Sequence, residues 1–496
     1  MNIQGFFKRG LHIDCTRQTF EIQEVDNDFL GGSLGGKGLG SQLLLERVAQ
    51  GVDPLSAQNR VFFVLGPATD SLIWGSSRWG VVTISPLTGG FSESYAGGGG
   101  AIPMSRTGFD VIDISGACDQ PVWLEVWEQG VRFHPAQDLW GMDCHQTEDA
   151  LRNRVDARAG VAVIGPAGEN LVRFAVLATD RWHMAGRGGV GAVFGSKKIK
   201  GIVFHGTARR AVARPEAIRA WSKKVVQEHK HSSGSENYRR FGTPAMVDLM
   251  NTAGAFPCAY WSKGRMQDWE RISPLGIGVD HHMKAVSCPH CFLDCRNLVQ
   301  VKSGRHQGLR IEGPEYETLY AFGGLCLVSD TREITYLNDL CDRLGLDTMS
   351  CGNLVGLALE AAKQGRIQAD LQYGRVDQIE GLVQDIASRK GLGGVLALGI
   401  REASASLGVE DLAVHVKGME PAGYDPRVLK GMGLAYAVSA RGACHLRASF
   451  HRAELTGLAD AADPRGMVAS FLEHEDLCTL MDCLILCRFF RKIYVQ

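Results

Sequence analysis

Cys288, Cys291 and Cys295 lie in the stretch V-S-C-P-H-C-F-L-D-C-R-N, spaced C-x2-C-x3-C. No other feature constrains the fold so strongly. Three thiolates on one turn can converge on one corner of a metal centre, and the chain must then deliver a fourth ligand to it. A structural zinc would take that ligand from a neighbouring C-x2-C or H-x3-H pair, and none follows. A four-iron cluster accepts a cysteine from far along the chain. The spacing therefore points to a cluster, with zinc or unliganded core thiols as the alternatives. Cys326, Cys341, Cys351, Cys444, Cys478, Cys483 and Cys487 all lie downstream as fourth ligands, and spacing alone does not choose among them.

The rest of the composition narrows the class. The chain has 496 residues, 45% of them hydrophobic and 22% charged, with a formal charge of −1. Such a balance excludes an electrostatic case for nucleic acid or for a membrane surface. The N-terminus turns polar after a few residues, and no apolar run approaches the ~20 residues that cross a bilayer. The expectation is a cytoplasmic protein whose 14 cysteines are thiols or ligands and not a disulfide framework. Glycine is the outlier, at 61 residues. Its excess gathers in LGGSLGGKGLG, GGFSESYAGGGGA and AGRGGVGAVFG. Runs of this kind form tight turns, or let backbone N–H groups approach a ligand such as phosphate.

Up to about residue 206 the chain reads as strands punctuated by glycine: RVFFVLG, WGVVTISP, DVIDISG, AGVAVIG, NLVRFAVLA and GIVFHG. A hairpin in PVWLEVWEQGVRFHPA turns at Glu128–Gln129–Gly130. Helical signals then take over, with Pro215 near a helix start, a polar loop at EHKHSSGSENYRRFG and no repeat of solenoid period. REITYLNDLCDRLG predicts a helix stopping at Gly345, and Asp347 predicts the N-cap of the next. The fold class is α+β: a β-rich domain over residues 1–207, a helical domain over 208–415 and a helical C-terminal domain over 416–496.

Eight segments together carry a resemblance. GGKGLGSQLL, SSRWGVVTISPLTGGFSES, AGRGGVGAVFGSKKIKGI, the cysteine stretch, EGPEYETL, DRLGLD, GMGLAYAVSARGACHLRA and DCLILCRF occur in the order seen in the aldehyde:ferredoxin oxidoreductase family of tungsten-pterin enzymes. The two other cluster families with closely spaced cysteines fit less well. Radical enzymes built on S-adenosylmethionine use the reverse order, and molybdopterin-guanine-dinucleotide enzymes carry their cysteines near the N-terminus. The resemblance implies that the β-rich domain cradles a bis-pterin tungsten (or molybdenum) centre, that a magnesium ion bridges the pterin phosphates, and that helical domains close over them. It also implies a 4Fe-4S cluster held by Cys288, Cys291, Cys295 and Cys487.

The family's pterin signature, D-x-x-G-L-(D/C), resembles Asp342 to Asp347, with Gly345 and Leu346, and again Asp482 to Cys487, with Leu486. Ile485 stands where the second copy usually has glycine. Arg78 resembles the arginine between pterin and cluster. Tyr95 and the Ala185–Gly186–Arg187 segment resemble the magnesium and phosphate contacts, and Tyr95 replaces an asparagine of some members. For proton chemistry the resemblance points to Glu317, His445 and Tyr316. Lys37 reads equally as a phosphate contact or a surface lysine, and Cys444 has no assigned task.

The implied reaction is oxidation of an aldehyde to a carboxylic acid. Electrons then leave through the cluster to ferredoxin or an iron–sulfur partner subunit, and a homodimer is compatible with this. The alternatives are a benzoyl-CoA-type ring reductase subunit and a pterin-free electron relay. The chain ends soon after Cys487, whereas family members continue, so the third domain is expected to be incomplete and the protein less stable.

Overall fold

The computed structural model describes residues 3–495. Its first two hundred residues build two six-stranded sheets. The strands are β1 (Arg9–Asp14), β2 (Thr19–Glu24), β3 (Val61–Val64), β4 (Trp79–Ile84), β5 (Phe91–Ala96), β6 (Val111–Ser115), β7 (Val122–Trp127), β8 (Gly130–Pro135), β9 (Gly160–Val163), β10 (Leu177–Thr179), β11 (His183–Ala185) and β12 (Ile199–Phe204). The first sheet runs β2-β1-β6-β3-β4-β5 and the second β11-β10-β9-β12-β7-β8. β1–β6 and β7–β12 pair in parallel; every other pairing in the two sheets is antiparallel.

Alternating apolar side chains of both sheets meet in one core, where Phe63 lies 5.7 Å from Phe204 and 5.8 Å from Phe194. The outer strands β5 and β11 lie against one another, so the edges of the two sheets form a seam.

The two halves repeat a local device. Leu65–Gly66–Pro67–Ala68 follows β3 and Ile164–Gly165–Pro166–Ala167 follows β9. A Cβ on Gly66 would collide with the Leu484 carbonyl, and one on Gly165 with the Leu344 carbonyl. Each glycine therefore receives one copy of the D-x-x-G-L element at backbone contact. The glycine runs also start helices, α1 (Gly36–Arg47) and α2 (Val190–Ser196). Their N-cap residues Gly35 (φ 87°) and Gly189 (φ 80°) adopt backbone conformations that L side chains resist.

Beyond residue 207 helices dominate, and the class is α+β as expected. α3 (Thr331–Leu344) ends at Gly345 in the left-handed conformation, φ 78°. α4 (Thr348–Lys363) starts at Asp347, whose carboxylate accepts the Met349 N–H at 3.1 Å. α4 is apolar on most of its circumference and lies at the centre of the larger core. α5 (Pro464–Cys483) leads to the final turns. Pro215 occupies the first turn of its helix, as expected.

Local expectations failed in three places. The supposed polar loop near residue 230 is largely two helices, Pro215–His229 and Ser233–Phe241, because Ser232 caps the second through Ser235 N–H. NLVRFAVLA supplies only Leu177 and Ala178 to the three-residue β10. The cysteine stretch is the turn of an antiparallel sheet formed by β13 (His281–Val286), β14 (Arg296–Val301) and β15 (Arg310–Glu312), set inside the helical region. Among the described residues no helix is long and apolar enough to cross a membrane.

Candidate redox and substrate site

Cys288, Cys291 and Cys295 project from the β13–β14 turn, and one glycine joins that turn to the chain's last residues. Gly75 donates its N–H to the His290 carbonyl at 2.8 Å and accepts the Cys487 N–H at 2.9 Å. At φ 76°, a Cβ here would lie 2.6 Å from the Phe490 ring and 3.2 Å from Cys487 Cβ. Cys487 is therefore the distant cysteine that reaches the triplet. Cys483 is turned instead toward the N-terminus of α1, with Gly38, Lys37 and Glu93 around it. Cys326, Cys341 and Cys351 are sealed in the helical core.

The thiols of Cys288, Cys291 and Cys295 are all pushed up, chiefly by burial, and each feels the charge of Cys487; Cys291 rises to about 12. Such a set resists ionising alone and ionises together around a cationic centre. The Gly98 N–H points at Cys288 Sγ, 3.4 Å away. Among the described residues no three His, Cys, Asp or Glu side chains gather as ligands of a single ion. An all-sulfur donor set with a backbone N–H on sulfur fits an iron–sulfur cluster.

Arg78, just before β4, is half-buried, and its charge reaches Cys288 and His183. Tyr95 on β5 and Ala185 on β11 flank the seam between the sheets. The next residues, Gly186 and Arg187, carry the chain across it. Arg187 is buried and bonds Asp347 at 3.2 Å and Glu420 at 3.3 Å, with its other donors on backbone carbonyls of Glu420 and Ala443.

The two copies of the aspartate element have opposite electrostatics. Asp342 is buried with Asn338 Nδ2 at 2.8 Å, and burial pushes its carboxyl well up, toward the protonated form. Asp482 accepts from both Arg447 and Arg488 at 2.5 Å. Arg447 also pairs with Glu93 at 2.8 Å, and Glu93 holds Lys37 at 3.0 Å and the Tyr95 hydroxyl at 2.6 Å. Lys37 is thus part of a buried network. Burial raises the Glu93 carboxyl, but Arg447 and Lys37 outweigh it and hold it at about 2. Cys444 sits behind this network. Burial raises its thiol, and the charges of Arg441 and Arg447 bring it down to about 7.

Glu317 follows the turn containing Glu315 and precedes a π-helical stretch, Leu319–Leu325, a distortion common at functional sites. Its Oε2 accepts the Gly423 N–H at 3.1 Å, and its Oε1 lies 3.5 Å from His445 Nε2. Burial lifts Glu317 to about 7, and burial together with the Arg187 charge drives His445 well down, leaving it neutral. Glu317 Oε1 and His445 Nδ1 are buried without a hydrogen-bond partner. Buried polar atoms of this kind are rare unless a ligand completes them.

Both side chains face a cavity of about 730 Å³. Tyr316 also lines it, though its hydroxyl is spent on the Gly423 carbonyl. The hydroxyl that meets Glu317 belongs to Tyr424, which sequence reasoning missed. A tyrosine one residue beyond a glycine in PAGYD carries no signal of its own. Arg441 and Arg447 were also missed, although two arginines bracketing a Cys–His pair in an apolar stretch are a signal.

Comparison with known proteins gives the family. Residues 10–206 match "Aldehyde ferredoxin oxidoreductase, N-terminal domain", and residues 217–496 match "Aldehyde ferredoxin oxidoreductase, domains 2 & 3". The chain belongs to the aldehyde ferredoxin oxidoreductase family. It is 30% identical to the tungsten-containing aldehyde ferredoxin oxidoreductase of Pyrococcus furiosus, over 98% of this chain and 82% of that protein. It is 28% identical to the WOR-like subunit of the aliphatic sulfonate oxidoreductase of the same organism, over 88% of this chain and 74% of that protein.

Among solved structures it resembles the active-site complex of benzoyl coenzyme A reductase bound to 1,5-dienoyl-CoA, with TM-score 0.75 and 25% identity over 85% of this chain. It spans 66% of that chain, just under two thirds. Family membership makes the protein an oxidoreductase of the tungsten-pterin class. The orphaned polar atoms of Glu317 and His445 and the backbone-lined seam fit such a group.

Proposed function

We propose that this member of the aldehyde ferredoxin oxidoreductase family oxidises an aldehyde to a carboxylic acid and passes the electrons through a 4Fe-4S cluster to ferredoxin or an iron–sulfur partner subunit. The observation that carries this reading is the convergence of the triplet and Cys487 through Gly75, next to a cavity lined by the Glu317–His445 pair and by Arg488 and Phe489. In this reading Cys288, Cys291, Cys295 and Cys487 would hold the cluster, and Arg78, whose charge reaches Cys288, would serve the pterin beside it. Asp342 with Gly345–Leu346–Asp347, and Asp482 with Leu486, would hold the two pterins. Carbonyls at Tyr95 and Ala185, beside Gly186 and Arg187, would take the magnesium ion and the phosphates. When bound, the tungsten-pterin accepts the two electrons that the aldehyde carbon loses.

The protein's own residues handle protons and orientation. The reaction consumes one water and releases two protons. Glu317, poised near neutrality, takes a proton from that water. Neutral His445 keeps one N–H with which to orient the aldehyde oxygen. Tyr424 fixes Glu317 from the other side.

The test is anaerobic metal analysis with low-temperature paramagnetic resonance of the reduced protein, with Cys487→Ser compared against Cys483→Ser. Loss of iron only on changing Cys487 is the expected result; equal iron in both variants overturns the ligand set. Viologen-linked turnover of benzaldehyde, without turnover of benzoyl-CoA, separates aldehyde oxidation from ring reduction. Iron without tungsten or molybdenum would instead mark an electron relay.

A further inference from the structure

The wall of the substrate cavity carries positive charge that the protein does not neutralise. Buried His445 and Tyr316 and half-buried Glu317 form its floor, while Met246, Leu249 and Leu455 give it apolar sides. Arg452, Arg488 and Arg491 line the same space. Arg452 is exposed and Arg491 half-buried, which sets them toward the mouth. Among the described residues the acids on the wall are Glu315 and Glu317, and burial raises both carboxyls toward the neutral form.

Among the described residues Arg452 and Arg491 make no ion pair. Arg491 uses one donor on the Arg488 carbonyl, at 2.8 Å. Arg488 is 5% exposed and pairs with Asp482, yet its Nη1 and Nε have no hydrogen-bond partner. The cluster continues into a smaller adjoining cleft that shares Arg452 and Arg491 and adds Lys492 and His229. Lys492 feels both arginines as like charges, which push its ammonium down after burial does.

Like charges gathered on a cavity wall, with unused donors among them, are costly in the free protein and become favourable when an anion arrives. We infer that the cavity takes an aldehyde carrying a terminal oxyanion, with an apolar spacer between the oxyanion at Arg452 and Arg491 and the carbonyl at Glu317 and His445. This rests on the oxidoreductase reading for the reacting end only; the anion subsite stands on the arginines. The floor fixes the carbonyl, the apolar sides accept a short chain or one ring, and the arginines select the charge.

Pairs that differ by one anionic group test it. In viologen-linked assays 4-formylbenzoate is expected to exceed benzaldehyde in kcat/KM by about tenfold or more, mostly through KM, with the advantage shrinking as salt rises. The pair glyceraldehyde 3-phosphate and glyceraldehyde gives the same comparison for phosphate, and the larger advantage identifies the oxyanion. Arg452→Gln and Arg491→Gln should each cut the charged-to-neutral ratio by about five- to tenfold.

Calorimetric binding of terephthalate against benzoate needs no turnover. Tighter binding of terephthalate, lost in Arg491→Gln, upholds the anion subsite even if no aldehyde reacts, and that result would count against the oxidation reading alone. Equal kcat/KM within both pairs, with equal binding of the two acids, overturns the inference. So does a double variant that weakens only the response to ferredoxin, because the cations would then serve a protein partner.

Discussion

Glu317→Gln separates what burial does to this carboxyl from what the rest of the cavity does. In the folded protein Glu317 is held at about 7 against an ordinary 4.5, chiefly by burial, with the Gly423 N–H and the Arg187 charge opposing. The native state therefore keeps a proton between those values that the unfolded chain has already released. The stability this contributes is complete below pH 4.5 and is lost as pH rises through 7. At about 1.4 kcal/mol per pH unit the loss amounts to about 3 kcal/mol.

Glutamine keeps the shape and cannot ionise, so the variant escapes the loss. Urea unfolding followed by tryptophan fluorescence, without oxygen, should show the stability of Glu317→Gln relative to wild type rising by about 2–3 kcal/mol from pH 5 to pH 8. Glu148, also held near 7 chiefly by burial, titrates in both proteins and cancels. A difference that stays constant with pH would refute the placement of Glu317 as a buried, proton-holding group. The same variant should lose aldehyde turnover while keeping its iron.

Two further changes probe the frame around the site. Asp482→Asn strips Arg488 of the one ion pair that the described residues give it and leaves Arg447 only Glu93, so it should cost about 3–5 kcal/mol in the same unfolding assay. Asp411→Asn, at an exposed pair with Arg366, should leave the urea midpoint unchanged, and equal losses in the two variants would refute the account. Gly75→Ala places a methyl against Phe490 and Cys487 Cβ at a φ of 76°, and it should lower iron per chain with all four cysteines intact; full iron content would show that Gly75 is not what aligns them.

What the sequence made legible was local. The hairpin at Glu128–Gln129, the stop at Gly345, the cap at Asp347 and the helix start at Pro215 each depend on a few neighbouring residues, and each stands where expected. β5 escaped notice because FSESYA is polar, and its place is set by pairing with β4 and by the seam with β11. The doubled architecture was hidden for a related reason. V-L-G-P-A and V-I-G-P-A are too short to stand out, and their meaning lies in contacts with Leu484 and Leu344 that only the folded chain creates. At the site, the resemblance pointed to Asp482 and Glu317, but Arg447, which pairs with Asp482, and the burial that raises the Glu317 carboxyl come from segments distant in sequence.

The departure at Ile485 shows how the second half differs from the first. Gly345 adopts φ 78° without cost, whereas Ile485 adopts φ 54°, a conformation that costs a β-branched residue about 1–2 kcal/mol. The turn still forms: Leu486 N–H reaches the Met481 carbonyl at 2.8 Å and Cys487 N–H reaches Gly75. The side chain supplies the compensation. Ile485 is 1% exposed in the cluster with Phe6, Leu30 and Leu39, and burial of such a side chain gives back about 1.5–3 kcal/mol. The first copy needs only a backbone that can approach Gly165. The second, in the proposed ligand set, also places Cys487, and the buried Ile485 two residues earlier gives that turn an apolar anchor on Phe6, Leu30 and Leu39.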